Sequence, residues 1–303
     1  MNINIWQALF LALLQGVTEL FPISSLGHTV VIPGLLPTLF PPSFATNTSC
    51  GGRSCFLPLL TALHLGTSAA LVIYFWRDWL QVVMTIFNSV KNGKVEKGTE
   101  EWVGWLIIIG SVPGALIGVV FQDPITKLFG SAVIAAAFLV INGSILFFGE
   151  AMRKREEAKY TFANAKEREA SFRPLASLSW KEAVIVGLAQ SLALIPGISR
   201  SGSSMVAGLG VRLSHEDAAR YSFLLGTPLI AGAGLIEVPQ LIGQSAQTWL
   251  IIIVGMVVSG VAAFLSTKFL TKYFEQGRLT PFAIYCWVFG LIALALLFVM
   301  HAS

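Results

Sequence analysis

Gln15-Gly16-Val17-Thr18-Glu19-Leu20-Phe21-Pro22-Ile23-Ser24-Ser25-Leu26-Gly27-His28 sets a carboxylate, an imidazole, several hydroxyls and a proline inside the apolar stretch Ile3 to Ile32. Gln15 and Glu19 stand four apart, on one face of a helix that stops at Pro22. The polar turn Ser24 to His28 follows, at a depth where irregular backbone survives only if protein buries it or water reaches it. Such a stretch is a poor simple span and reads as a re-entrant helical hairpin. Ala183 to Gly210 reads the same way, broken by Pro196-Gly197-Ile198-Ser199-Arg200-Ser201-Gly202-Ser203-Ser204.

Outward from these hairpins the chain is membrane-like. Of 303 residues, 55% are hydrophobic and only 12% charged, whereas soluble domains carry about a quarter charged. Ser54 to Trp76, Trp102 to Gln122, Leu128 to Gly149, Val238 to Thr267 and Leu279 to Met300 contain no Asp, Glu, Lys or Arg. Each is long enough for a spanning helix of about 20 residues. Tyr221 to Ile236 makes a sixth span if Arg220 and Glu237 snorkel to the interfaces. The fold class is therefore an all-α polytopic membrane protein with about six transmembrane helices and two re-entrant hairpins.

Lys and Arg place the loops. The segment Glu150 to Lys181 holds eight basic residues, 77–101 four and 268–278 three, while 33–53 and 123–127 hold one each and 237–247 none. The first group is cytoplasmic by the positive-inside rule and the second faces outward. The three spans after the first hairpin then run in senses opposite to the three after the second. Echoes in sequence agree: Trp6, Gln15 and Pro22-Ile23-Ser24-Ser25 resemble Trp180, Gln190 and Pro196-Gly197-Ile198-Ser199, and Leu63 to Thr67 resembles Phe223 to Thr227. The expected organisation is a first repeat over 1–149, a cytoplasmic linker over 150–181 and a second, inverted repeat over 182–303. Inverted repeats with broken helices put a site near the midplane where they meet.

Only Glu19 and Arg200 lie deep within apolar stretches, one in each hairpin. A charge at the bilayer centre costs roughly 2.5–3.5 kcal/mol on insertion scales, which makes such residues functional candidates; a structural ion pair joining the repeats is the plainer alternative. Ser25, with His28 three residues on and Glu19 on the adjoining helix, supplies the parts of an activated nucleophile, although the serines can also cap the next helix. In the second hairpin, four hydroxyls, two glycines and an arginine suit a phosphate, held by backbone N–H groups at a helix start and by the guanidinium fork. His64 reads first as a packing residue and second as a site residue, Asn142 as an interhelical hydrogen bond, and the tryptophans as an interface belt. His215, in a charged loop, and His301, at the terminus, are not site candidates. Cys50 and Cys55 lie in an outward segment, where a short-loop disulfide can form, and Cys286 should stay reduced. Met1 to Leu14 lacks a basic n-region and a cleavage site and reads as part of the mature protein.

The stretch Gln15 to His28 resembles the (E/Q)-x-x-x-E motif and following S-S-x-G-H of the undecaprenyl-diphosphatase, or bacitracin-resistance, family. Pro196 to Ser204 resembles its P-G-x-S-R-S-x-x-T motif. The resemblance implies an inverted-repeat membrane fold in the bacterial cell membrane, with a site opening to the extracytoplasmic side. It also implies release of the terminal phosphate of undecaprenyl diphosphate, which recycles the carrier of peptidoglycan precursors. It implies a divalent cation, Mg2+ or Ca2+, on Glu19 and Gln15, and a catalytic set of Ser25, His28 and Glu19. Substrate binding would fall to Arg200, Ser199, Ser201, Ser24, Gly197 and Ser204. Gln15 is the weaker metal ligand of the two allowed, Leu26 replaces a frequent Thr, Ser204 stands for Thr, and His64 sits where Gln is frequent.

Two mechanisms are open. Ser25 attacks phosphorus with His28 as general base and Glu19 orienting it or holding metal, or His28 is itself the nucleophile. A secondary transporter or polyprenyl-phosphate flippase is the alternative function, and a non-catalytic scaffold a third. The partners are the lipid and the bilayer, with no sign of nucleic acid. On the charge pattern, a thiol reagent applied outside intact cells labels Ala45→Cys and spares Tyr160→Cys; the reverse labelling would overturn the inverted topology.

Overall fold

A computed structural model of the chain describes residues 3–41, 49–50, 53–54, 56–93, 95–121, 128, 131–159, 161 and 171–302. The helices are α1 (Ile5–Thr18), α2 (Ser25–Leu35), α3 (Phe56–Tyr74), α4 (Trp76–Asn92), α5 (Glu100–Val120) and α6 (Ala132–Glu157). They continue as α7 (Trp180–Ser191), α8 (Arg200–Gly210), α9 (His215–Glu237), α10 (Ala246–Phe274) and α11 (Thr280–Ala302). A two-residue antiparallel ladder, β1 (Ser49–Cys50) with β2 (Arg53–Ser54), precedes α3.

Six helices, α3, α5, α6, α9, α10 and α11, are long and apolar enough to cross a bilayer, as the charge-free stretches predict. The chain is a multi-pass membrane protein. The pairs α1–α2 and α7–α8 have 14 and 11, and 12 and 11 residues. At 1.5 Å per residue each falls short of the hydrocarbon thickness of about 30 Å, so neither member of a pair spans alone. Capping boxes start both pairs, Asn4 with Gln7 and Ser179 with Glu182. A hydrogen bond from Arg173 holds the Glu182 carboxyl down to about 2, fixing the start of α7 as an ionised cap.

Around the hairpins, α1 packs on α10, α7 on α5, α3 on both α9 and α10, and α6 on α11. Two of these crossings bring backbones into contact. A Cβ on Gly16 would lie 2.3 Å from the Ser259 carbonyl oxygen, and one on Gly187 2.1 Å from that of Gly110. Small residues at such crossings replace the hydrophobic drive that lipid removes. Leu250, Ile253, Val257, Val261 and Leu265 recur at helical spacing on the exposed face of α10, an apolar surface suited to lipid.

The structure departs from the sequence reading in three places. Residues 77–101, read as a loop, contain the helix α4, with Leu80, Val83, Phe87 and Val90 exposed and Thr85 and Ser89 buried; such an amphipathic helix suits the interface plane. Trp102, expected in the aromatic belt, is buried and donates from Nε1 to the Leu178 carbonyl at 2.6 Å. α1 stops at Thr18 instead of Pro22, because residues 19–23 turn to bring α2 back. Cys286 is a buried free thiol; the pairing of Cys50 with Cys55 lies outside the described residues.

Overpacking at a backbone contact costs about 1–3 kcal/mol, so Gly187→Ala lowers the melting temperature in detergent. Gly210→Ala meets nothing within 4 Å and leaves the melting temperature unchanged or raised.

Candidate functional site

The two hairpin tips meet. A Cβ on Gly27 would come within 3.0 Å of Gly197 Cα, and Gly197 turns the second tip with φ 102°. Ser201 Oγ donates to the Phe21 carbonyl at 3.2 Å. Asn142 of α6 ties both tips together: Nδ2 donates to the Pro22 carbonyl at 3.0 Å while Oδ1 accepts the Ser199 N–H at 2.9 Å. Asn142 is thus more than the interhelical bond the sequence suggests.

Each tip delivers the start of a helix. Ser24 caps α2 by accepting the Gly27 N–H at 3.2 Å, and Ser199 caps α8 by accepting the Gly202 N–H at 3.1 Å. Ser24 does so at φ 69°, in the left-handed region that costs a non-glycine residue on the order of 1–3 kcal/mol. The positive ends of two helix dipoles therefore face one point.

At that point stands Glu19, 7% exposed. Its Oε2 accepts from Gln15 Nε2 at 2.9 Å, from Ser25 Oγ through a short hydrogen bond, and from His64 Nε2 at 3.1 Å. Its Oε1 meets Arg200 Nη2 at 3.4 Å. The other His64 nitrogen faces the Leu60 carbonyl at 2.7 Å. Both ring nitrogens thus face acceptors. Arg200 Nη1 donates to the Ser222 carbonyl at 3.0 Å, and the guanidinium lies over Gly226, where a Cβ would fall 1.5 Å from Nη1.

Glu19, Ser24, Ser25, His64, Ser199 and Arg200 line a cavity of about 300 Å³. It continues along α3 past Thr61 to Leu57 and along α9 from Pro228 to Glu237, with an otherwise mostly apolar wall.

Other predicted residues are placed elsewhere. The His28 side chain makes no hydrogen bond with the Ser25 hydroxyl: its Nδ1 bonds the Ser24 carbonyl at 2.7 Å, its Nε2 the Tyr285 hydroxyl at 2.8 Å, and its ring stacks on Phe289 at 4.7 Å. The Ser25 proton points at Glu19 instead. Ser204 lies one turn into α8, bonded to the Arg200 carbonyl at 2.8 Å and the Ser222 hydroxyl at 2.7 Å. Gln15, Gly197 and Ser201 support the site from behind its wall. His64 and Gly226 are site residues that the motifs did not single out; the signal for both was the repeated Leu-Gly-Thr echo at 65–67 and 225–227.

Fold and site together define a polytopic helical membrane protein with a buried Glu–Ser–His–Arg cluster at the junction of two short-helix hairpins. The family model described as bacitracin resistance protein BacA matches residues 8–292, and the chain belongs to that family. It is 42% identical over 291 residues, 94% of each chain, to the undecaprenyl-diphosphatase of Mycolicibacterium paratuberculosis. It is 40% identical over 296 residues to that of Acidiphilium cryptum, covering 96% of this chain and 97% of the relative. To undecaprenyl-diphosphatase 1 of Burkholderia pseudomallei it is 41% identical over 301 residues, 99% of each.

Asn142→Leu keeps the volume but strands the Pro22 carbonyl and the Ser199 N–H. Loss on the order of 2–4 kcal/mol of stability follows, read as a lowered melting temperature in detergent.

Proposed function

We propose that this chain is an undecaprenyl-diphosphatase that releases inorganic phosphate and returns undecaprenyl phosphate for peptidoglycan synthesis. The observation that carries the proposal is the convergence of Ser25, Glu19, Arg200 and two helix N-termini on one wall of a largely apolar cavity. An isoprenoid tail suits the apolar wall, and a diphosphate suits the guanidinium and the first-turn N–H groups.

Ser25 Oγ attacks the terminal phosphorus and Glu19, already its acceptor, takes the proton. The bond from phosphorus to the bridging oxygen breaks, the lipid monophosphate leaves, and water then hydrolyses the phosphoserine. Arg200 shifts from its 3.4 Å contact with Glu19 to the phosphoryl oxygens, where charge develops. Ser199 and Ser201, bonded to each other at 3.1 Å, hold the loop that presents Arg200. His28, engaged at both nitrogens, positions the strained Ser24 and hence the start of α2.

The donors fit a hard divalent cation such as Mg2+ or Ca2+. Gln15 Oε1 is buried without a partner beside the Glu19 carboxylate. Among the described residues no group of three or more His, Cys, Asp or Glu side chains could hold a metal; Glu19 and Gln15 would supply one carboxylate and one amide oxygen, and substrate and water would have to supply the rest of the shell. Such an ion neutralises phosphoryl charge.

Two further readings belong to this proposal. The matched crossings of α1 on α10 and α7 on α5, each closed by a glycine, support an inverted repeat. The cavity's extension toward Leu57 and Glu237, the ends that carry few basic residues, supports an opening to the extracytoplasmic face of the bacterial cell membrane.

Phosphate release from the lipid diphosphate in detergent, where no compartments exist, separates a phosphatase from a transporter. There, Ser25→Ala and Glu19→Gln each lower turnover by about 10²-fold or more, and the double variant is scarcely worse than the weaker single. Arg200→Lys loses about 2–4 kcal/mol of transition-state stabilisation while the protein stays folded. Near-normal turnover in Arg200→Lys would make the arginine a purely structural partner of Glu19.

A further inference from the structure

Gln190, on α7, takes no part in the chemistry described so far, yet its side chain lines the same cavity. The residue is 1% exposed, and neither Nε2 nor Oε1 has a hydrogen-bond partner. The sequence echo pairs it with Gln15, whose Nε2 is satisfied by the carboxylate four residues on. Four residues after Gln190 stands Leu194, which offers nothing. The second hairpin thus repeats the amide without its acid. Arg200, which lines the same cavity, also has a buried and unpartnered Nε.

Buried amides are normally hydrogen-bonded, because an unmade bond costs the full desolvation of the group. An amide with both atoms unpartnered on a cavity wall is complementary to something that enters the cavity. With an unpartnered arginine Nε on the same cavity, the matching group is one with several oxygens and negative charge. An isoprenoid tail satisfies none of these atoms.

Resting on the phosphatase reading, we infer that Gln190 is a further substrate-contacting residue. Its Nε2 donates to a non-bridging phosphoryl oxygen of the lipid diphosphate, and its Oε1 accepts from the P–OH of the monoprotonated terminal phosphate. The amide acts in the ground state.

Gln190→Met keeps the length of the side chain and removes both polar atoms. Since no intramolecular bond is lost, the variant melts in detergent at the wild-type temperature or above it. Its KM for the lipid diphosphate rises about 10–100-fold, the worth of a hydrogen bond to a charged group, with kcat changed far less. Gln190→Glu, which sets a carboxylate against the phosphate, raises KM further. Inorganic pyrophosphate raises the melting temperature of the wild type, and Gln190→Met loses most of that rise. An unchanged KM and pyrophosphate response in Gln190→Met would overturn the inference, as would a fall in its ligand-free melting temperature, since the amide would then have a structural partner. Should the wild type release no phosphate, the phosphatase reading fails; the pyrophosphate shift still decides whether Gln190 holds a phosphate group, and its absence in the wild type counts against that.

Discussion

A buried contact between Glu19 and Arg200, 181 residues apart in sequence, joins the two hairpin tips. Neither charge is tolerable alone at the depth where its hairpin puts it, at roughly 2.5–3.5 kcal/mol each on insertion scales. Together they compensate, but only if the two tips are held within a few ångströms. The glycine crossings of α1 with α10 and α7 with α5, the Asn142 bridge and the Ser201–Phe21 bond supply that placement. A pair of charges in low dielectric is poor evidence for stability, since apolar side chains of the same volume often do as well. Its retention at the wall of a cavity argues for use.

The balance of charge around the cavity explains what that use requires. One carboxylate faces a guanidinium, an imidazole and the positive ends of two helices. In the proposed reaction a phosphate offsets this electropositive surplus, and Arg200 moves from Glu19 Oε1 to the phosphate while Ser25 keeps its bond to Oε2. Binding and activation of the nucleophile are then one movement. The strained Ser24 and the stacked, doubly bonded His28 keep α2 aimed at this point, in keeping with strain stored where function needs it.

Much of this was legible in the sequence. Glu19 and Arg200 stood out because composition left no other charges deep in apolar stretches, and the six spans followed from charge-free runs. The partner of Ser25 was not legible. His28 lies three residues along the same helix, an attractive spacing, but a cap geometry at Ser24 rotates Ser25 toward Glu19, six residues back across a turn. α4 was hidden because its apolar residues follow a helical period at an interface instead of forming a run. Asn142 acquires its role only from Pro22 and Ser199, far away in sequence, whereas the repeat echoes pointed at His64 and Gln190 without saying what either faces.

In the proposed reaction Ser25, activated by Glu19, attacks the phosphorus. The most direct test is an acid quench of the enzyme during turnover of undecaprenyl diphosphate labelled in the terminal phosphate, followed by peptide mapping. Label is expected on the Ser25 peptide, stable to acid and released by alkali. Acid-labile label on the His28 peptide, or no covalent label while phosphate is still being released, would contradict it.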